Sequence, residues 1–189
     1  MALPPNGVIY VQNGVCGTSY TLTQDYNNPE GCADVWLRGT YSQSLTIASE
    51  NDVIVNGNVT RSGDVMLGLI PNNFVRVYHP VTNRSGTSCT NAASTPTNVS
   101  VDAAILTLAH SFIVNNYYCG AVLGTLSVNG AIAQKFRGPV GTGGSSVTTG
   151  YVKAYAFDDR LRYVNPPYFL SPVQAPWDLM RFNEQSPPR

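Results

Sequence analysis

Charge is what this sequence has least of. Asp, Glu, Lys and Arg make up 12% of its 189 residues, about half the ~25% share usual in a soluble globular protein. The 11 acids and 11 bases cancel, so no long-range field gathers nucleic acid or anionic membrane. A general nucleic-acid binder is thereby excluded. Histidine is limited to His79 and His110, and no two cysteines stand in a CxxC spacing. The close ligand pairs of a structural zinc site are missing, and neither a metal nor a cofactor is expected. No apolar run approaches the ~20 residues that a helix needs to cross a bilayer. The start, Met1-Ala2-Leu3-Pro4-Pro5, lacks the basic and apolar regions of a signal peptide. Any targeting segment or membrane anchor is therefore expected outside this chain.

The cysteines that are present, Cys16, Cys32, Cys89 and Cys119, form an even set. Disulfides are the better reading, and they imply an oxidising, extracellular or cell-surface setting. Four cysteines allow three pairings. Cys16–Cys32 and Cys89–Cys119 are favoured because each pair brackets a loop-rich stretch. Closing the first loop stabilises by roughly 3 kcal/mol in the chain-entropy model.

The dominant positive signal is a series of short alternating apolar segments closed by Asn, Gly, Asp or Pro. They begin at Gly7–Asn13 and continue through Val35–Leu37, Ser44–Ala48, Asp52–Gly57, Asp64–Gly68 and Phe74–Tyr78. Val99–Val101, Ser111–Asn115, Gly124–Gly130 and Tyr151–Tyr155 complete the series. Period-two alternation with β-branched and aromatic residues is the strand signature. Strands of three to five residues with Asn/Gly corners point to an all-β chain wound as a right-handed parallel β-helix. Asn tolerates left-handed backbone angles and Gly adopts them without cost. If Asn56-Gly57 and Asn129-Gly130 are instead hairpin turns, the alternative is a β-sandwich. Val101–His110 reads as a short helix or turn capped by Asp102.

Thr82–Thr97, which contains Cys89, and Arg137–Ser146 read as long surface loops. From Asn165 onward the prolines, with Tyr168, Phe169 and Trp177, forbid regular ladders yet are too apolar for a free tail. The expected organisation is a β-solenoid over residues 1–164 and an extended strap over 165–189 packed on the same domain.

Two stretches are distinctive as whole motifs, Leu126–Gly141 and Asp158–Tyr163 leading to Pro166–Val173 and Trp177. Asn51–Asn58 and Asn73–Tyr78 extend the pattern upstream. Together they resemble the C-terminal region of uncharacterised bacterial, often actinobacterial, surface proteins that begin with a PilX-like pilin segment. The resemblance covers most of the chain from about Ser44. It implies a module carried on a pilus-like or envelope structure with protein partners, and it brings no catalytic residues.

Glycoside hydrolysis needs two carboxylates facing each other, and Glu50, Asp52 and Asp64 are the nearest cluster. Asp158 and Asp159 are adjacent, point to opposite strand faces, and read as partners of Arg160 or Arg162. Asp102, His110 and Ser111 superficially resemble a nucleophile set, but no GxSxG elbow surrounds Ser111. The glycine-rich Gly138–Gly144 lacks the ending of a phosphate loop. The expectation is a non-catalytic structural or adhesive module, with a carbohydrate-binding or polysaccharide-degrading β-helix as the alternative. Tyrosine presents a broad apolar face with a polar tip, suited to interfaces and sugar stacking. The expected contact surface is therefore Tyr117, Tyr118, Tyr151, Tyr155, Tyr163, Tyr168 and Trp177.

Overall fold

The computed structural model describes residues 3–14, 33–86 and 88–169. Cys16, Cys32 and Trp177 lie outside the described residues, as does most of the expected strap.

The chain is all-β. Its strands are β1 (Val8–Val11), β2 (Val35–Tyr41), β3 (Leu45–Ser49), β4 (Val53–Arg61), β5 (Leu67–Pro71) and β6 (Val75–Val77). They continue as β7 (Val81–Ser85), β8 (Ser88–Asn91), β9 (Val99–Thr107), β10 (Phe112–Val114), β11 (Val122–Gln134), β12 (Gly141–Gly143) and β13 (Val147–Phe157). Eleven strands form one mostly parallel sheet, and β7–β8 is a separate antiparallel ribbon. One ladder runs β1-β3-β5-β9-β11-β13, and a second pairs β2, β4, β6 and β10. The chain alternates between them. β4 lies in sequence between the paired β3 and β5, and β5 between the paired β4 and β6.

This alternation explains why the core is built from columns of like residues. Val35, Val53, Val75 and Phe112 stand in register, as do Leu37, Val55, Val77 and Val114. Ile47, Leu69, Ile105 and Ile132 make a third column, and Val59, Val101 and Val128 a fourth. Most of these side chains are buried in one apolar cluster. Each fully buried Val, Leu or Ile stabilises by about 1.5–3 kcal/mol. A one-residue slip would turn a whole strand's apolar set outward, so the columns hold the register.

Several expectations need correction. Val101–His110 is not helical, since most of it lies in β9. There Val101, Ala103 and Ile105 alternate into the core, and β-branched residues in period two outweigh the helix propensity of Ala and Leu. The short helix among the described residues is a 3-10 turn at Asp159–Arg162, capped by Asp158. Asn56-Gly57 and Asn129-Gly130 lie inside β4 and β11 and are not hairpin turns. The left-handed asparagines are Asn83, Asn98 and Asn116. The strands of three to five residues are accompanied by longer ones, β11 reaching 13 residues. Both expected long loops contain strands: β7 and β8 in the first, β12 in the second.

The pair Cys89–Cys119 is a disulfide, consistent with an oxidising setting. It ties the β7–β8 ribbon to the turn after β10.

Candidate functional site

The polar side chains gather at three places, each fixed by a corner or an end of the parallel ladders.

The first lies at the corner before β4. Asn73 Nδ2 donates to Asn51 Oδ1 over 2.8 Å, and Asn51 Nδ2 donates to Asp34 Oδ1 over 2.5 Å. The two asparagines are 22 residues apart, the same spacing as the paired Val53 and Val75. The Asp52 carboxylate accepts the Phe74 N–H at 2.9 Å and Arg76 Nε at 2.5 Å. Burial pushes the Asp52 carboxyl above the usual carboxylate range, against the pull of Arg76. The Arg76 guanidinium lies 4.1 Å over the Phe74 ring, whose other neighbour is His110, stacked at 4.3 Å. Burial lowers the pKa of His110. Beside this corner a recess of about 60 Å³ is lined by Trp36, Ile54, Arg76, Tyr78 and Asn115. The Trp36 and Tyr78 rings meet edge-on at 5.0 Å.

The second centres on Asp158. Its carboxylate takes Arg61 Nη1 and Arg160 Nη2, both at 2.6 Å. It also accepts the Arg160 backbone N–H at 3.2 Å. The Arg160 hydrogen bonds hold the Asp158 carboxyl well below the usual carboxylate range, with Arg61 adding to the effect. Arg160 also binds Asp64, and Asp159 pairs with Arg162 at 3.2 Å. Tyr41 donates its hydroxyl to the Asp102 carbonyl at 2.8 Å, and burial pushes that hydroxyl up to about 12. The enclosed space here is only about 10 Å³.

The third is the end of the long ladder at β13. A recess of about 370 Å³ opens there between Phe112, Ile132, Gln134, Arg137, Lys153 and Tyr155. Arg137 and Lys153 enter none of the ion pairs among the described residues.

The sequence-derived acids are not brought together. Glu50 accepts from Tyr10 Oη at 2.5 Å and from the Asn13 N–H at 2.7 Å, Asp52 faces Arg76, and Asp64 faces Arg160. Asp102, His110 and Ser111 do not assemble either. Asp102 accepts the Arg61 N–H at 3.1 Å, and Ser111 donates to the Phe136 carbonyl at 2.6 Å. No group of three His, Cys, Asp or Glu among the described residues is placed to hold a metal ion.

The tyrosines fall in four places. Tyr117 and Tyr118 meet edge-on at 5.3 Å, and Tyr118 accepts from Arg84 at 2.8 Å. Tyr151 is a core residue, 1% exposed, with its hydroxyl on the Pro96 carbonyl. It therefore offers no outward face and is removed from the contact surface. Tyr155 packs edge-on against Phe112 at the open end. Tyr163 and Tyr168 are 86% and 78% exposed. Next to Tyr168, Pro167 lies against Gly7 and Phe169 against Gly68, and Thr46 donates to the Pro167 carbonyl.

Sequence reasoning missed the Trp36–Tyr78 pair and the Arg137–Lys153 pair. Each joins residues well separated in the chain, which only the tertiary structure brings to one recess. No family model, curated protein or solved structure matches this chain. No helix among the described residues is long and apolar enough to cross a membrane.

Proposed function

We propose that the chain is a right-handed parallel β-helix acting as a non-catalytic structural or adhesive module of a bacterial cell-surface or pilus-like assembly, with protein partners outside the cell. The alternation of the chain between two in-register parallel ladders supports the winding. One observation carries the assembly role: among the described residues, no strand pairs with the outer side of β13 beyond Gly150. Every residue of β13 from Val152 to Phe157 is exposed, including Val152, Tyr155 and Phe157. Stacked β architectures need polar terminal caps or a partner at such an end. The acids, meanwhile, serve ion pairs and corner ladders. Attachment to the envelope would come through a segment outside this chain, as the PilX-like resemblance implies.

The Trp36–Tyr78 recess favours a second reading, a glycan binder. The Trp36 ring, 42% exposed beside Tyr78 and Asn115, suits stacking on a sugar ring. A glycan array combined with a polysaccharide turnover screen separates the readings. The structural reading expects no turnover. Specific turnover lost on Asp52→Asn or Asp64→Asn would overturn it. Immunolabelling of intact producing cells checks the localisation, with surface signal expected.

A further inference from the structure

The open end of the ladder has an edge, a recess and a charge that point to one kind of occupant. β13 is paired along one side by β11 in parallel register, from Thr125↔Val152 to Gly130↔Phe157. On its other side β12 is the only strand among the described residues to pair with it, over Val147 to Gly150. Two hydrogen bonds fix which backbone groups face which way. The Tyr151 N–H donates away from β11, to the Val140 carbonyl at 2.9 Å, and the Asp158 N–H donates toward it, to the Gly130 carbonyl at 3.0 Å. Strand groups alternate, so Lys153, Tyr155 and Phe157 present their N–H and C=O to the uncovered side.

The side chains of these residues continue the columns of the core. Lys153 stands in register with Leu126, and Leu126 with Val99; Tyr155 stands with Val128 and Val101. A cation thus occupies a column that is aliphatic in the two strands beneath it. Arg137 stands across the recess, and burial, followed by the charge of Arg137, lowers the Lys153 pKa. The recess floor is apolar, made by Phe112, Ile132 and the Tyr155 ring. An inward-pointing lysine on a free edge discourages pairing with a purely apolar strand. By charge complementarity it favours a strand that carries a carboxylate.

We infer that the free edge of β13 receives an extended segment of a partner protein by strand addition, with an acidic side chain between Arg137 and Lys153 and apolar neighbours on the recess floor. This deepens the structural and adhesive reading, on which it rests. Main-chain bonds along Lys153, Tyr155 and Phe157 would supply affinity, and the cationic recess would supply selectivity.

The test uses the full chain and two synthetic decapeptides that alternate Thr and Val, one with a central Asp and one with Lys in its place. Fluorescence anisotropy should show the Asp peptide binding at least about tenfold more tightly than the Lys peptide. The double variant Arg137→Glu/Lys153→Glu should reverse that preference. Both residues are exposed, so the fold should persist, as circular dichroism would check. Hydrogen exchange should show new protection at Lys153, Tyr155 and Phe157. Binding without that protection, or without reversal in the double variant, overturns the inference. So does equal binding of polygalacturonate, which would assign the recess to an acidic glycan. A concentration-dependent dimer of the chain alone, lost in the double variant, would assign the edge to a second copy and also overturn it. None of these outcomes touches the broader reading, which stands or falls on turnover and surface display.

Discussion

Arg76 Nε donates to Asp52 Oδ2 over 2.5 Å, and each of these side chains is 3% exposed. The pair links two neighbouring parallel strands, with Asp52 immediately before β4 and Arg76 central in β6. A buried ion pair of this kind adds little net stability, because desolvation offsets attraction, but breaking it is costly.

Arg76→Met leaves the Asp52 carboxylate buried beside an apolar chain and should cost about 3–5 kcal/mol in urea unfolding. The sign of the pH effect follows from the raised Asp52 pKa. The native state then holds its proton more tightly than the unfolded state, so this group's contribution to stability falls as pH rises through the native pKa. The variant should regain part of its loss on moving from about pH 8 to about pH 5. A deficit independent of pH would show that the carboxylate does not carry the cost.

Asp158 has the opposite sign. Its carboxyl is held well below its ordinary value by Arg160 and Arg61. The stability it contributes is present above the unfolded pKa of about 4 and is lost as pH falls through the lower native value. Asp158→Asn should be destabilised at neutral pH and show a shallower loss of stability below about pH 4. Parallel acid-unfolding curves for the two proteins would contradict this assignment.

The Cys89–Cys119 bridge closes a loop of sequence separation 30. In the chain-entropy model it stabilises by about 3–4 kcal/mol. Cys89→Ser/Cys119→Ser should lose that amount in denaturant titrations, with the exchange of amides in β7 and β8 rising first. Uniform loss of protection across all strands would place the ribbon inside the main cooperative unit.

A Cβ added at Gly130 would stand 1.8 Å from the Ala103 carbonyl oxygen. This glycine is needed for the close approach of β11 to β9 and not for a left-handed angle. Gly130→Ala should therefore destabilise by about 3 kcal/mol or more, since the obstacle is backbone and cannot rotate away. Gly63→Ala, by contrast, meets no atom within 4 Å, and only its φ of 85° resists the change. Its cost should be near 1 kcal/mol. Thermal unfolding of the two variants measures the difference.

Alternating apolar runs with Asn and Gly at their ends were enough to read the β class and to place most strands, among them β1, β3, β6 and β10. The Cys89–Cys119 pairing was legible because both residues flank loop-rich chain. The reading of Val101–His110 failed because Ala and Leu carry helix propensity that matters only where packing is indifferent. Here Val101 and Ile105 are captured by columns already set by Val59 and Leu69. Tyr151 was misplaced for a related reason. A tyrosine next to a glycine-rich loop resembles a surface residue, but here the ring joins the core cluster and the hydroxyl finds the Pro96 carbonyl.

The sequence by itself determined the β class and the position of most core strands, because period-two alternation acts within a few positions along the chain. Only the tertiary structure decided which residues meet. Parallel neighbours in this chain are some 20 residues or more apart, so the Asp52–Arg76 pair, the Trp36–Tyr78 recess and the uncovered edge of β13 depend on register between strands. Register is a cooperative outcome of whole columns packing together, and no local signal encodes it.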